Sequence, residues 1–115
     1  MRVVVNKVSY PLEIKNTRQL INKGLAGRKE LEGGAIFVFR DNRKRSFWMK
    51  GCEIPLDILF LTDNKVNKIH HNWPPSHDLS WKTTYEGEGN IALEFNGGFC
   101  KSNNIKEGDR LRIEK

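Results

Sequence analysis

The sequence predicts one domain of 115 residues, built mainly from an antiparallel, barrel-like sheet of about eight or nine short strands. One helix is expected in the N-terminal half of the chain, and a short helical turn near its C-terminus. Apolar and polar residues alternate over short stretches, glycine or polar turns separate these stretches, and one stretch has helical spacing. Consecutive strands joined by tight turns favour antiparallel pairing and a curled sheet.

The first predicted elements are two strands and the helix. Arg2–Val8 is a run of β-type residues, Ser9–Pro11 is predicted as a turn, and Leu12–Lys15 as a second strand. A helix over Thr17–Ala26 is expected because threonine at its first position is a good N-cap. Gly27 is predicted to end this helix, since glycine takes the left-handed conformation of a helix C-terminus without a steric penalty.

The rest of the chain supplies the other predicted strands. In order, these are Ala35–Arg40, Phe47–Lys50, Ile58–Thr62, Lys65–Trp73, the alternating stretch Trp81–Glu86, Ile91–Phe95 and Arg110–Glu114. The polar run Asp41–Ser46 is expected to be a hairpin turn, and Gly87–Gly89 another turn. A short helical turn is expected to run from Gly97-Gly98 through Asn103.

The composition indicates a soluble globular protein, with 37% apolar and 30% charged residues. No apolar run approaches the ~20 residues that a membrane span needs, and the N-terminus lacks the apolar stretch of a signal peptide. A cytoplasmic location and no contact with a membrane are therefore expected. Cys52 and Cys100 are expected to be reduced thiols. No metal-type spacing joins them to the histidines, so neither a metal site nor a cofactor is predicted.

Five segments together resemble a known family. They are GLAGRKEL (Gly24–Leu31), GAIFVF (Gly34–Phe39), FWMKGCEIPLDILFL (Phe47–Leu61), LEFNGGF (Leu93–Phe99) and IKEGDRL (Ile105–Leu111). They are similar to the signatures of the bacterial and archaeal family called domain of unknown function 192, and the resemblance runs from about residue 3 to residue 113. It implies a compact α+β fold rich in antiparallel strands. It implies no activity, because the family has no agreed one.

Two charged residues lie inside the most apolar of these segments. Lys50 ends one predicted strand and Asp57 begins the next. A buried charge without a partner is costly, so each is expected to have one, and the partners considered are each other, Arg28 and Glu94. One interpretation is a polar cluster at a mouth of the barrel that binds a ligand. The other is a structural network that joins the helix, the hairpin and a C-terminal strand.

The resulting functional hypothesis is a non-enzymatic binding module. Its ligand would be a small anionic or polar molecule, or a protein partner, held by Arg28, Trp48, Lys50, Asp57 and Glu94. An alternative is a small enzyme that uses Asp57 or Glu94 as general acid or base. This alternative requires a carboxyl group whose pKa is moved toward neutrality.

A further alternative is nucleic-acid binding through the basic N-terminal half. Residues 1–50 hold twelve Lys and Arg residues against four Asp and Glu residues, whereas the rest of the chain is slightly acidic. Within that half, Arg40, Arg43, Lys44 and Arg45 lie close together and could follow a phosphate backbone. A solvated turn at the tip of a hairpin explains the same residues without a ligand.

Overall fold

The computed structural model describes residues 1–75 and 84–115 of the chain. Its elements are β1 (Arg2–Val5), β2 (Val8–Lys15), α1 (Arg18–Lys23), β3 (Gly34–Trp48), β4 (Leu56–Thr62), β5 (Lys65–Trp73), β6 (Thr84–Asn96), α2 (Phe99–Ser102) and β7 (Arg112–Glu114). The seven strands form one sheet in the order β5-β4-β6-β3-β2-β1-β7. Only the β2–β3 pair is parallel among the described strands.

The sheet curls so that its two ends approach each other. An isolated bridge joins Lys65 at the start of β5 to Arg110, just before β7. The loop around Arg110 also hydrogen-bonds to β5, where the Val66 N–H donates to the Asp109 carbonyl at 2.8 Å. The prediction of a mainly antiparallel, barrel-like sheet is therefore confirmed.

Two apolar clusters cover the two faces of the central strands. The inner cluster lies inside the curl and joins β1, β2, β4 and β5 through residues such as Val3, Leu59 and Ile69. The outer cluster lies between the central strands and the segment around α1, and it contains Leu25, Ile58 and Phe60. Because successive strand residues point to opposite faces, Ile58 and Leu59 belong to different clusters. Most apolar side chains of these strands therefore enter one cluster or the other.

The predicted α+β class is wrong, because the described chain is mostly strand. Its two helices span six and four residues, and neither forms a layer of its own. The helix begins where predicted, with the Thr17 hydroxyl accepting from the Leu20 N–H at 3.2 Å. It ends at Lys23 and not at Ala26. Gly24 takes the C-cap position with φ +51°, so an earlier glycine than predicted stops the helix.

The predicted count of eight or nine strands is also wrong, because two predicted hairpins are two long strands. Asp41–Ser46 is not a turn but the middle of the 15-residue strand β3. Gly87–Gly89 likewise lies within β6, which pairs with β3 along its length. A Cβ on Gly87 would lie 2.2 Å from the Phe60 ring. These glycines allow β4 and β6 to approach closely, and they do not reverse the chain.

The first hairpin turn also lies elsewhere than predicted. It falls at Asn6-Lys7, where both residues have positive φ angles, and Ser9–Pro11 belongs to β2. The Asp63-Asn64 turn between β4 and β5, which the sequence does predict, has the same backbone form. In the part of the chain that the structure describes, no helix has the length and apolar character needed to cross a membrane.

Candidate functional site

Asp57 lies in the interior, where its carboxylate accepts hydrogen bonds from three backbone N–H groups. Its side chain is 0% exposed. One carboxylate oxygen accepts from the N–H groups of Asn72 at 2.7 Å and Gly98 at 3.0 Å, and the other accepts from Cys100 at 2.8 Å. Asp57 therefore joins β4 to the end of β5 and to the start of α2. This arrangement matches the structural interpretation of Asp57.

Glu94 is also buried, with 3% of its surface exposed, but it lies on the opposite face of the sheet. In the register of β4 and β6, Glu94 is opposite Ile58, whereas Asp57 is opposite Phe95. Directly opposed residues share a face and adjacent residues do not. Asp57 thus points into the inner cluster and Glu94 into the outer one, so the two carboxyl groups cannot act on one substrate.

A cavity of about 460 Å³ lies beside Glu94 on the outer face. Its walls come from the end of α1, from β3 and the loop that follows it, and from β6. The lining residues are Ile21, Asn22, Lys23, Gly24, Leu25, Phe37, Ser46, Phe47, Trp48, Lys50, Cys52, Thr84, Tyr85 and Glu94. Aromatic rings form much of the wall, and Phe47 packs at 5.2 Å from Phe37 and 5.8 Å from Tyr85, measured between ring centroids. We call this space the outer pocket.

A hydrogen bond connects two polar groups in the wall of the outer pocket. The Tyr85 hydroxyl donates to a carboxylate oxygen of Glu94 at 2.9 Å. Burial raises the pKa of Glu94 to about 7, although the hydrogen bond from Tyr85 and the charge of Lys15 act to lower it. Glu94 therefore changes its protonation state near neutral pH. It can accept a proton or a hydrogen bond as carboxylate, and donate one as carboxylic acid.

Cys52 lies in the same wall and is a poor nucleophile. Burial and, to a lesser extent, the nearby charge of Glu94 raise the pKa of its thiol to about 11. A thiol with such a pKa is almost wholly protonated at neutral pH, and the thiolate is the reactive form. Cys52 and Cys100 are not joined by a disulfide, because Cys52 belongs to the outer cluster and Cys100 to the inner one.

Of the five predicted ligand-binding residues, the outer pocket contains three: Trp48, Lys50 and Glu94. Trp48 is 46% exposed, and the Lys50 ammonium lies 5.4 Å from the centroid of its ring. Asp57 is on the other face. Arg28 instead forms a two-point ion pair with Glu13, with N–O distances of 2.7 and 2.8 Å.

The basic segment of β3 is largely paired with acidic groups. Arg45 contacts Asp41 at 2.7 Å and also lies over the ring of Phe39, at 3.6 Å from its centroid. Arg43 approaches the same aspartate at 3.4 Å. Lys44 pairs with Glu86 of the neighbouring strand at 3.0 Å. The segment is therefore part of a two-stranded ladder and not a free basic tip.

Within residues 1–75 and 84–115, no group of three His, Cys, Asp or Glu side chains is arranged to hold a metal ion. His77 and Trp81 lie outside the described residues. His70 and His71 are neighbours in β5, and the His70 imidazole contacts the carbonyl of Glu86 at 2.7 Å.

Sequence reasoning missed Tyr85 as the partner of Glu94. In a regular strand, two residues nine positions apart point to opposite faces. The pairing of β6 with β3 is irregular between Gly89 and Ile91, opposite Arg43 and Val38. The alternation reverses there, so Tyr85 and Glu94 share the outer face. Gly89 is a local signal of this irregularity, but the sequence pattern assigns Gly87–Gly89 to a turn.

Comparison with known proteins identifies relatives but no activity. A protein of unknown function from Novosphingobium aromaticivorans is 32% identical, with a TM-score of 0.84 over 97% of this chain and 82% of that chain. A proposed transcription regulator from Sinorhizobium meliloti is 26% identical, also with a TM-score of 0.84, over 96% of this chain and 89% of that one. No curated protein matches the sequence.

The family comparison agrees with the resemblance found in the sequence. The model of the family described as uncharacterised ACR, domain of unknown function 192, matches residues 1–113. This match covers nearly all of the chain and includes every strand of the sheet up to Ile113 in β7. The chain therefore belongs to the family of domain of unknown function 192.

Proposed function

We propose that this domain is a binding module and that the outer pocket holds a small polar ligand. The observation that carries the proposal is the carboxyl group of Glu94, which is buried in the wall of a cavity large enough for a small molecule. Pockets of about 300–1,000 Å³ with apolar walls and a few polar groups are typical of ligand sites.

The energetic argument concerns the position of Glu94 in the sheet. Its neighbours across the two adjacent strands are Ala35 and Ile58, both fully buried. A carboxyl group at such a position costs several kcal/mol when ionised and without a cationic partner. An apolar residue would pack there at no such cost, so stability alone does not account for Glu94. A ligand that interacts with the carboxyl group would account for it.

The other polar groups suggest how a ligand would lie. Lys23 and Lys50 line the same pocket, and their ammonium groups could contact an anionic group of the ligand. The rings of Phe47 and Trp48 offer apolar surface for its body. The original hypothesis of an anionic or polar ligand is thus kept, with Arg28 and Asp57 removed from the site. A side chain of a protein partner is an alternative occupant.

The test is to ask whether the pocket carries a ligand that a blocking substitution excludes. Asn22 is exposed on α1 and lines the pocket, so Asn22→Trp would obstruct it. Ser102→Trp is the matched control, because Ser102 is exposed on α2, among the elements of the inner side. Each protein is exposed to a small-molecule extract, washed and denatured, and the released compounds are identified by mass spectrometry.

The expected result is a compound released by the wild type and by Ser102→Trp but not by Asn22→Trp. Release of the same compounds from all three proteins, or no release from any, would contradict the proposal. Circular dichroism of the three proteins checks that the substitutions leave the sheet folded.

A second candidate function is proton-transfer catalysis by Glu94, which is the part of the enzyme hypothesis that survives without Asp57. The pKa of about 7 favours it, because a general acid or base works best when its pKa lies near the operating pH. An activity of this kind would be abolished in Glu94→Gln, and its rate would follow one ionisation near pH 7. An activity retained in Glu94→Gln would exclude this role.

Nucleic-acid binding stays as a third proposal. It is supported by the basic N-terminal half and by the similarity to a proposed transcription regulator. The ion pairs of Arg43, Lys44 and Arg45 with acidic side chains reduce the charge available for phosphates. Binding to DNA or RNA fragments should weaken steeply as salt increases. Absence of binding at low salt would dispose of the proposal.

A further inference from the structure

We infer that the ligand of the outer pocket places a basic nitrogen, such as a primary amine, against the carboxylate of Glu94. The inference rests on the proposed function and specifies the chemical class of the buried end of the ligand. It follows from three features of the pocket: the incomplete set of partners around Glu94, the aromatic walls, and the distribution of positive charge.

Glu94 lacks a close cationic partner within the described part of the chain. One of its oxygens accepts from Tyr85 at 2.9 Å, and a carboxylate has about four lone-pair positions in total. The nearest positive influence is Lys15, whose ammonium lies 3.8 Å from Glu13. A buried carboxylate is stabilised most by a cation that also donates hydrogen bonds. An amine supplies both the charge and the donors.

The aromatic walls of the outer pocket also favour an amine. Phe37, Phe47, Trp48 and Tyr85 all line the space next to Glu94. Aromatic rings attract cations through their quadrupole, and a carboxylate combined with aromatic rings is a good site for an ammonium group. An anionic group of the ligand at this position would be repelled by the carboxylate of Glu94. The arrangement therefore favours a cation at the buried end of the pocket.

The lysines of the pocket restrict the charge that the far end of the ligand can carry. Lys23 and Lys50 belong to the end of α1 and to the loop after β3, whereas Glu94 lies in the middle of the sheet. They would repel a second positive group, so the far end of the ligand is expected to be neutral or anionic. The other titratable groups around Glu94 are Tyr85 and Cys52, and both are neutral at pH 7 because their pKa values are raised.

The competing interpretation is a ligand that accepts a hydrogen bond from protonated Glu94. The two interpretations predict opposite shifts of the pKa of Glu94. A bound amine favours the carboxylate and lowers the pKa of Glu94, whereas a bound carboxylate ligand favours the acid form and raises it. The pKa of Glu94 in the presence of a ligand therefore identifies the chemistry of its buried end.

The experiment uses three probes of equal size: benzylamine, benzyl alcohol and benzoate. Binding to the full-length protein is followed by the backbone amide shifts of Cys52 and Tyr85, and the pKa of Glu94 is followed by the carbon shift of its carboxyl group. At saturation, benzylamine is expected to lower that pKa by about one unit, which corresponds to tenfold tighter binding to the ionised form. Glu94→Gln keeps the shape of the side chain and is expected to weaken benzylamine binding about tenfold, with little effect on benzyl alcohol.

The outcomes separate this inference from the proposed function. If benzoate or benzyl alcohol binds at the pocket and benzylamine does not, the amine assignment is wrong and the binding function stands. If benzylamine binds but the pKa of Glu94 stays unchanged or rises, the assignment is also wrong. If none of the three probes shifts the amides of the pocket, the inference fails, and the extract experiment decides the binding function independently.

Discussion

The three backbone hydrogen bonds to Asp57 predict a large loss of stability when this carboxylate is removed. Asp57→Ala would leave the N–H groups of Asn72, Gly98 and Cys100 without their acceptor. A hydrogen bond to a charged group contributes about 1.5–3 kcal/mol, and a buried donor left without a partner costs about 1–3 kcal/mol. The two strands β4 and β5 and the start of α2 would lose their common anchor.

The magnitude depends on how far water can replace the carboxylate. The bond to Cys100 is buried, whereas those to Asn72 and Gly98 are partly accessible. We take about 1 kcal/mol for each of the two accessible N–H groups and about 2–3 kcal/mol for the buried one. Asp57→Ala is then expected to reduce the free energy of unfolding by about 4–5 kcal/mol. Asp57→Asn keeps one oxygen and should cost about 2 kcal/mol. Urea unfolding followed by circular dichroism measures both differences.

The matched control is Asp109→Ala. Asp109 also accepts a backbone hydrogen bond, from Lys106 at 2.8 Å, but it is exposed. Water can replace this acceptor, so the expected loss is below about 1 kcal/mol. A loss below about 1 kcal/mol for Asp57→Ala, or equal losses for Asp57→Ala and Asp109→Ala, would refute the structural role assigned to Asp57.

Three further predictions concern other parts of the molecule. The raised pKa of Glu94 means that the folded protein holds a proton that the unfolded chain releases. The contribution of Glu94 to the free energy of unfolding is therefore fully present below about pH 4.5 and is lost as the pH rises to about 7. Relative to Glu94→Gln, the wild type should therefore lose up to about 3 kcal/mol of unfolding free energy between pH 4.5 and pH 8, and parallel pH profiles in urea unfolding would contradict this. Gly87→Ala should destabilise the fold by about 2 kcal/mol or more, because the new Cβ would lie 2.2 Å from the Phe60 ring; an unchanged melting temperature would show that β4 and β6 are not in close contact there. Arg28→Ala should cost about 1 kcal/mol or less, since its ion pair with Glu13 is part-exposed, and a larger loss in urea unfolding would point to a role beyond that pair.

Most strands could be predicted from local pattern, but their lengths could not. Ile58–Thr62 and Ile91–Phe95 lie within β4 and β6, because runs of apolar residues at strand length are buried wherever the sheet forms. The polar run Asp41–Ser46 looked like a turn. It is a strand because its partner β6 continues beside it, and Gly87 lets that partner fit. The residues Asp41–Ser46 themselves carry no sign that a partner strand will run beside them.

The candidate site was predictable in part. Glu94 was selected as a candidate partner, and Lys50 because a charge within an apolar segment needs a reason; both line the outer pocket. Asp57 was selected by the same rule, and its reason is structural. Arg28 was selected for its charge next to a helix end, yet Glu13 binds it. Sequence identifies an unusual residue, but it does not identify the atoms that surround it.

The sequence by itself determined where most of the strands lie and that charged residues occur within the apolar segments. Period-two alternation fixes the faces of residues within one regular strand. It does not fix which face of one strand meets which face of another, since this depends on the register between β4 and β6. The tertiary structure alone decided that Asp57 and Glu94 lie on opposite faces, and the irregularity near Asn90 brought Tyr85 to the side of Glu94. The physical reason is that register is set by the packing of all strands together, and a shift of one residue exchanges the two faces.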